Sequence, residues 1–412
     1  MKVLLSAYAC EPNRGSEPGN GWNWALETAR LGHEIWCLTT PEGRKNIEKE
    51  LELVNLPNLH IVFIDVPDWV NKAYKYQPGV YLHYMVWQQK AYLKAKELDK
   101  KIDFDLVHHV TIGSLQMGTS LWRLNKPLIF GPAGGGQVAP KAFKSYFYRW
   151  WKMEILRTFT SNLLLKFNPN VRKTMRQASL VLTTNEDTYE MAKDLGATNA
   201  SMFLDTSLPE TFYPPAYPVR TPAKELKILW VGRLFARKGL PLVLEALSKV
   251  RADIPFKLTI LGDGPMHDFV PQWLEEYKLK DKVEWKGQVP WEEVKHAYTT
   301  SDLFMFCSLR DSSAAQFLEA MAYGLPIVTL DLHGGKNLVP DEAGFKIPVT
   351  TPDETIAGLV NAVEQLYDNP EMRERMGQHG YSFAKTQTWA LKTQHIAGFY
   401  SKFSKAQLEE VH

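Results

Sequence analysis

Asp311 and Glu319 stand eight positions apart, and the residues between them, SSAAQFL, carry no charge. An acid enclosed without a partner is costly, so this spacing implies polar company. Two cations come earlier: Arg233 ends the run KILWVGR (227–233), and Lys238 follows five residues on. A glycine turn, Gly262 to Gly264, closes the run FKLTILGD (256–263), and the two acids follow LFMFCSL (303–309). Each of these short apolar runs reads as a strand. In open parallel sheets ligands lie beyond the carboxyl ends of the strands, so all these groups share one edge. Together they suit a diphosphate. Arg233 and Lys238 neutralise its charge, and a helix starting near Ser312 or Ser313 would aim backbone N–H groups at it. The small side chains of Ser312, Ser313, Ala314 and Ala315 leave room for that approach. Asp311 and Glu319, as acceptors for hydroxyl groups, fit the ribose and sugar of a nucleotide-sugar better than a metal. Singly, each feature has a plainer reading, a solvated cation or an ordinary helix start; the conjunction in this order carries the argument.

The elements that must position these groups alternate along the whole chain. In the first half the strand runs are 2–8, 34–40, 59–66, 105–110, 127–132 and 179–184, separated by helical patterns such as NWALETARLG. Strands apolar on both faces and separated by helices predict parallel sheets covered on each side. With 412 residues, two doubly wound α/β domains follow. The expected boundaries are a first domain over 1–205, a proline-rich linker over 206–225, a second domain over 226–385, and a C-terminal helix over 386–412 that crosses back to the first. With 48 basic and 46 acidic residues the net charge is +2, which gives no global attraction to nucleic acid. Cys10, Cys37 and Cys307 sit in strand-like runs and read as small buried hydrophobes, and no Cys/His spacing suggests zinc. No metal is expected; the DFD at 103–105 precedes a strand, and Asp103 and Asp105 read as turn residues.

The second half resembles the nucleotide-binding domain of family 4 retaining glycosyltransferases, which have the GT-B fold: two Rossmann-like domains facing across a cleft. VGRLFARKGLPLVLEAL is similar to the family's VGRL…KG…LL.AL segment, and ILGDGP to its glycine turn beside the base. RDSSAAQFLEAMAYGLPIV resembles its E-x7-E segment, with Asp311 in place of the first Glu. The resemblance implies that Arg233 and Lys238 hold the diphosphate, Glu319 the ribose, and Asp311 with the backbone of Ser312–Ala315 the donor sugar. In the first half, GSEPGNGWNWALETARLGHEIWCLTT is similar to the family's glycine loop and second strand, which would set Gly15 close to the donor. DLVHHVTIG resembles the strand end where the family often carries a histidine near the sugar. His108 and His109 point to opposite faces of a regular strand, so one at most faces the cleft, and a core place for either is an equal alternative.

The activity implied is retaining sugar transfer from a UDP- or GDP-sugar to a saccharide or lipid-linked acceptor, in cell-surface polysaccharide or glycoconjugate synthesis, with no further cofactor. The rivals are a non-catalytic nucleotide-sugar-binding subunit and a GT-B epimerase or phosphorylase. One stretch breaks the alternating pattern. Residues 137–176 hold six aromatics between Phe143 and Trp151 and nine basic residues, with Glu154 as the only acid. Such composition suits an anionic membrane surface; a helical pair packed on the first domain, or a groove for an anionic acceptor, are the alternatives. The expected location is cytoplasmic, with the inner membrane face as a variant of it.

Overall fold

The computed structural model describes residues 1–74, 77–220 and 224–403. The chain divides into two compact units. The first comprises Met1–Gly136, Thr160–Ser207 and the chain from Trp389 onward; the second comprises Gln137–Phe159 and Leu208–Thr388.

The first unit is built on seven described strands: β1 (Lys2–Ser6), β2 (Glu34–Thr39), β3 (Leu59–Phe63), β4 (Leu106–His109), β5 (Leu128–Ala133), β6 (Leu180–Thr183) and β7 (Ala200–Met202). They are parallel and ordered β3-β2-β1-β4-β5-β6-β7. Alternate residues of these strands feed two separate apolar clusters. Leu4, Leu38, Val107 and Phe130 face one, and Val3, Leu5, Cys37 and Ile129 face the other. This period of two, apolar on both faces, is what a sheet covered on each side requires. The helix Trp389–Lys402 covers the second face, where Trp389, Ile396 and Tyr400 are buried.

The second unit repeats the plan with β8 (Leu226–Val231), β9 (Phe256–Leu261), β10 (Val283–Trp285), β11 (Leu303–Met305), β12 (Ile327–Leu330) and β13 (Gly344–Ile347). Their order is β10-β9-β8-β11-β12-β13, again parallel. In both sheets the order reverses once, between β1 and β4 and between β8 and β11. Those two switch points are where a doubly wound sheet leaves an open crevice.

Two boundaries differ from the sequence expectation. Residues 137–159, expected within the first domain, group with the second unit. Their apolar side chains find their partners there: Phe143 and Phe147 are fully buried, the Tyr146 hydroxyl donates to Glu245 at 2.7 Å, and the Trp273 indole donates to the Tyr148 hydroxyl at 2.8 Å. Trp150 meets Phe269 edge-on at 5.7 Å. The proline-rich stretch is also no free linker. Its described part is fastened to the second unit by Arg220, whose guanidinium donates to the carbonyls of Tyr298, Ser301, Tyr323 and Gly324. Residues 221–223 lie outside the described residues.

Candidate active site

The second unit's switch point gathers the cations. Past the end of β8, Arg233, Arg237 and Lys238 project from one short turn, with the Phe235 ring between the guanidinium groups of Arg233 and Arg237 at 4.7 and 4.6 Å. Lys238 is buried. Its ammonium lies 5.3 Å from the Phe306 ring centre and pairs with the carboxylate of Asp311 past the end of β11. Burial pulls the Lys238 ammonium below its usual range, and Asp311 opposes that shift. The Ser308 hydroxyl donates to the same Asp311 oxygen at 3.4 Å.

Neither Arg237 nor a fourth cation was singled out from the sequence. Arg310, one residue before Asp311, makes a two-pronged pair with Glu154 at 2.7 and 3.0 Å. Glu154 also accepts from Arg157 at 3.4 Å. Four cations and two carboxylates, Asp311 and Glu154, thus share one field, in which each carboxylate favours and each neighbouring cation disfavours the charge of Arg237. With Arg157 counted as the second cation on Glu154, the local balance is three positive charges, which suits a diphosphate. Glu154 arrives on the segment 137–159, which also supplies the Val138 carbonyl that accepts from His333 Nε2 at 3.0 Å. His333 stands past β12 with φ +46°, an uncommon backbone state for a residue with a side chain. The sequence signal for these was positional only, since each follows a strand end.

The helix that starts beside this cluster begins later than expected. It runs Ala315–Ala322, and Ala314 is its N-cap, with extended backbone. Ser312 and Ser313 belong to the preceding loop. That loop is tied down by Lys238 on Asp311, by the Ser308 hydroxyl on the Arg237 carbonyl at 3.0 Å, and by Gly334 N–H on the Asp311 carbonyl at 3.2 Å. Gly334 must be glycine here, because a Cβ would lie 2.8 Å from the Ser312 carbonyl oxygen. The backbone of Ala314 and Ala315 remains at the helix start as expected. Glu319, one turn in, is half-buried and accepts from the Tyr298 hydroxyl at 2.8 Å. Burial pushes its carboxyl up to about 7, against the Tyr298 hydrogen bond. On the other side, Gly262 takes φ +132°, and a Cβ there would lie 1.9 Å from the Gly232 carbonyl oxygen. This presses the Gly262–Gly264 turn against the turn that carries Arg233.

In the first unit both histidines are core residues. His108 Nε2 meets the Gly131 carbonyl oxygen at 2.8 Å, so that nitrogen carries the proton and Nδ1 accepts from the Tyr400 hydroxyl at 2.6 Å. His109 stacks on Phe130 at 5.1 Å and bonds the Ser6 and Tyr84 hydroxyls through its two nitrogens, at 3.0 and 3.2 Å. Burial lowers their pKa values to about 4 and about 3. The opposite-face expectation holds, but both faces are interior, so the cleft role for either ring is corrected to a structural one. Gly15 caps the helix Ser16–Arg30, and a Cβ on it would meet nothing within 4 Å. The acidic group at this switch point is Glu17. It accepts from the N–H of Ile112 at 2.9 Å, and Ile112 is held at φ +53°, a strained state for a β-branched residue. Burial pushes Glu17 up to about 7.

Among the described residues no group of three or more His, Cys, Asp or Glu side chains could hold a metal ion. Asp103 pairs with Lys126 at 2.6 Å and Asp105 accepts from the backbone N–H of Lys2 at 2.8 Å, both at the turn before β4. Residues 218–383 match the family model described as glycosyl transferases group 1. A putative colanic acid biosynthesis glycosyltransferase, WcaL, of Escherichia coli K12 is 34% identical over 140 residues, which cover 32% of this chain and 34% of that protein. The aligned stretch is thus about a third of that relative's length. Sucrose-phosphate synthase from Thermosynechococcus elongatus superposes with TM-score 0.67 at 16% identity, covering 98% of this chain and 99% of that one. Anabaena HepE in complex with UDP superposes with TM-score 0.64 at 17% identity, covering 98% and 100%. These likenesses fix the fold as GT-B, and residues 218–383, which hold the four cations and Glu319, are similar to the glycosyl transferases group 1.

Proposed function

We propose that the protein transfers a sugar from a UDP- or GDP-sugar to a hydroxyl of a saccharide or lipid-linked acceptor, with retention of anomeric configuration and no metal. The observation that carries this reading is the four-cation, two-carboxylate cluster at the β8/β11 switch point, beside a helix start and in front of Glu319. Retention of configuration, the donor and the acceptor class are inferences beyond the family match. The HepE likeness, a protein seen with UDP, and the colanic acid relative favour UDP and a polysaccharide or lipid-linked product. The site of action we infer is the cytoplasmic side of a membrane, where nucleotide-sugars would meet such acceptors.

In this scheme Arg233, Arg237 and Lys238 stabilise the charge that grows on the departing diphosphate. Glu319 accepts from the ribose hydroxyls and Asp311 from those of the sugar. Asp311 is held by Lys238 before donor arrives, so the same ammonium orients the sugar's acceptor group and screens the phosphate. The bond from the anomeric carbon to the diphosphate oxygen breaks, the acceptor oxygen bonds on the same face, and its proton passes to the leaving phosphate. In this scheme Asp311 is the one carboxylate assigned to the sugar, so no glycosyl-enzyme intermediate is invoked.

The test is nucleoside diphosphate release from purified protein across UDP-, GDP- and ADP-sugars, with and without chelator and a lipid-linked acceptor. Release from one donor, insensitive to chelator and reduced about 100-fold or more by Lys238→Ala, is the expected result. Binding of UDP or GDP without turnover on any acceptor would point to a binding subunit instead. Absence of nucleotide binding would overturn the reading.

A further inference from the structure

We propose that the exposed face of the helix Trp151–Phe167 docks the protein on an anionic lipid bilayer, lying in the headgroup plane rather than crossing it. The aromatics just upstream, which gave the region its membrane-like composition, are accounted for: Phe143, Tyr146 and Phe147 are buried, and Tyr148 and Trp150 pack on Trp273 and Phe269. The helix itself is different. None of its 17 residues is buried, and Met153, Ile155, Phe159, Leu163 and Phe167 are 57, 54, 63, 46 and 66% exposed. That concentration of large apolar surface on one helix is not ordinary for a protein exterior.

The phase of the helix gives the face its shape. Phe159, Leu163 and Phe167 recur at a spacing of four, which keeps them on one stripe about 25 Å long with the rest of the helix. Lys152, seven residues before Phe159, and Lys166, seven after it, lie along the same side, one near each end, and the Lys166 ammonium rests 5.3 Å from the Phe167 ring centre. An apolar stripe bracketed by lysines matches acyl chains below and phosphates above.

Charge complementarity selects the occupant. Between Lys141 and Arg176, eight cations are exposed: Lys141, Lys144, Arg149, Lys152, Lys166, Arg172, Lys173 and Arg176. The single acid of that stretch, Glu154, is already engaged by Arg310 and Arg157. On the helix itself the exposed charged side chains are Lys152 and Lys166, both cations, and an exposed apolar stripe carrying only cations is complementary to anionic headgroups. No helix among the described residues is long and apolar enough to cross a membrane, which leaves this face the interfacial mode of contact. The proposal does not depend on sugar transfer, and its test uses no donor.

The experiment is flotation of the full chain with vesicles of phosphatidylcholine alone and with about one-third phosphatidylglycerol. Wild-type protein is expected to float with the anionic vesicles only, and to be released by salt. The double variant Phe159→Ser/Leu163→Ser is expected to lower the partition coefficient at least about tenfold. Lys152→Gln/Lys166→Gln is expected to lower it several-fold on anionic vesicles alone. All four side chains are exposed, so an unchanged melting temperature serves as the fold control. Equal flotation of wild type and the serine variant would overturn the proposal. So would a wild-type dimer that the serine variant converts to monomer without any vesicle binding, since the face would then belong to a second copy.

Discussion

Glu154 and Arg310 are 156 positions apart in the chain, yet each carboxylate oxygen of one meets a guanidinium nitrogen of the other. Both side chains are nearly enclosed, at 14 and 15% exposure. Removing one member of such a pair leaves the other charge poorly solvated, so Glu154→Ala should destabilise the protein by on the order of 2–3 kcal/mol. Replacing both, as in Glu154→Leu/Arg310→Met, should recover most of that loss. Urea unfolding of the three proteins measures both numbers; a single-variant loss under about 0.5 kcal/mol would mean that solvent screens the pair. At this scale the sequence was legible where chemistry repeats locally. Arg233, Lys238, Asp311 and Glu319 follow strand ends and were found that way. That Lys238 and Asp311 bind each other was hidden, because it follows from β8 and β11 being neighbours in the sheet while 73 positions apart in the chain. Glu154 was hidden for the same reason, and it also sat in a stretch whose composition pointed elsewhere.

The helix Trp389–Lys402 shows what an element adds. Its place on the first unit was expected, but not the polar contacts that hold it. Tyr400 donates to the buried His108, and the Lys392 ammonium donates to the Leu204 carbonyl beside the Phe203 ring at 4.6 Å. Burial lowers the Lys392 ammonium to about 7. Tyr400→Phe keeps the ring and leaves His108 Nδ1 without its donor, which should cost about 1–3 kcal/mol. Thermal unfolding compared with Phe399→Leu, a half-buried neighbour, would separate that loss from a general weakening of the helix. Most strands were readable because parallel, doubly covered strands are apolar runs. The exception, β7, has three residues, ASM, and lies at the sheet edge, too short and too polar to stand out. The start of the helix Ala315–Ala322 was misplaced by two or three residues because its serines are tied into the loop before it rather than used as caps.

Across the whole molecule, two buried histidines and two half-buried carboxyls set opposing responses to acid. His108 and His109 titrate at about 4 and about 3 in the folded chain, below the ordinary 6.5. The unfolded chain therefore takes up protons first as pH falls, and their contribution, complete above about 6.5, is lost on acidification by up to about 1.4 kcal/mol per pH unit for each ring. Glu17 and Glu319 act with the other sign. Their folded values are raised from 4.5 to about 7, so stability is lost as pH rises through that interval. Between about 4.5 and 6.5 the two pairs offset each other, and below 4.5 only the histidines remain. Urea midpoints should therefore change little across that window and fall steeply under it. In Glu17→Gln/Glu319→Gln the window should become a slope that rises with pH; a flat profile in the variant would refute this balance.

The division of the chain also dictates an order of manufacture. The first unit includes residues 1–136, but one face of its sheet is covered by the helix Trp389–Lys402, which a ribosome delivers only after the second unit's sheet. Its second unit likewise borrows Gln137–Phe159 from far upstream of its own sheet. Domains usually fold as they emerge, N-terminal first. Here the first unit is begun before the second and completed after it, and the nascent chain must hold an uncovered sheet face while the second unit is made. Cutting the gene at the proline-rich stretch would therefore yield two incomplete fragments, so split expression should recover soluble protein only when both pieces are made together.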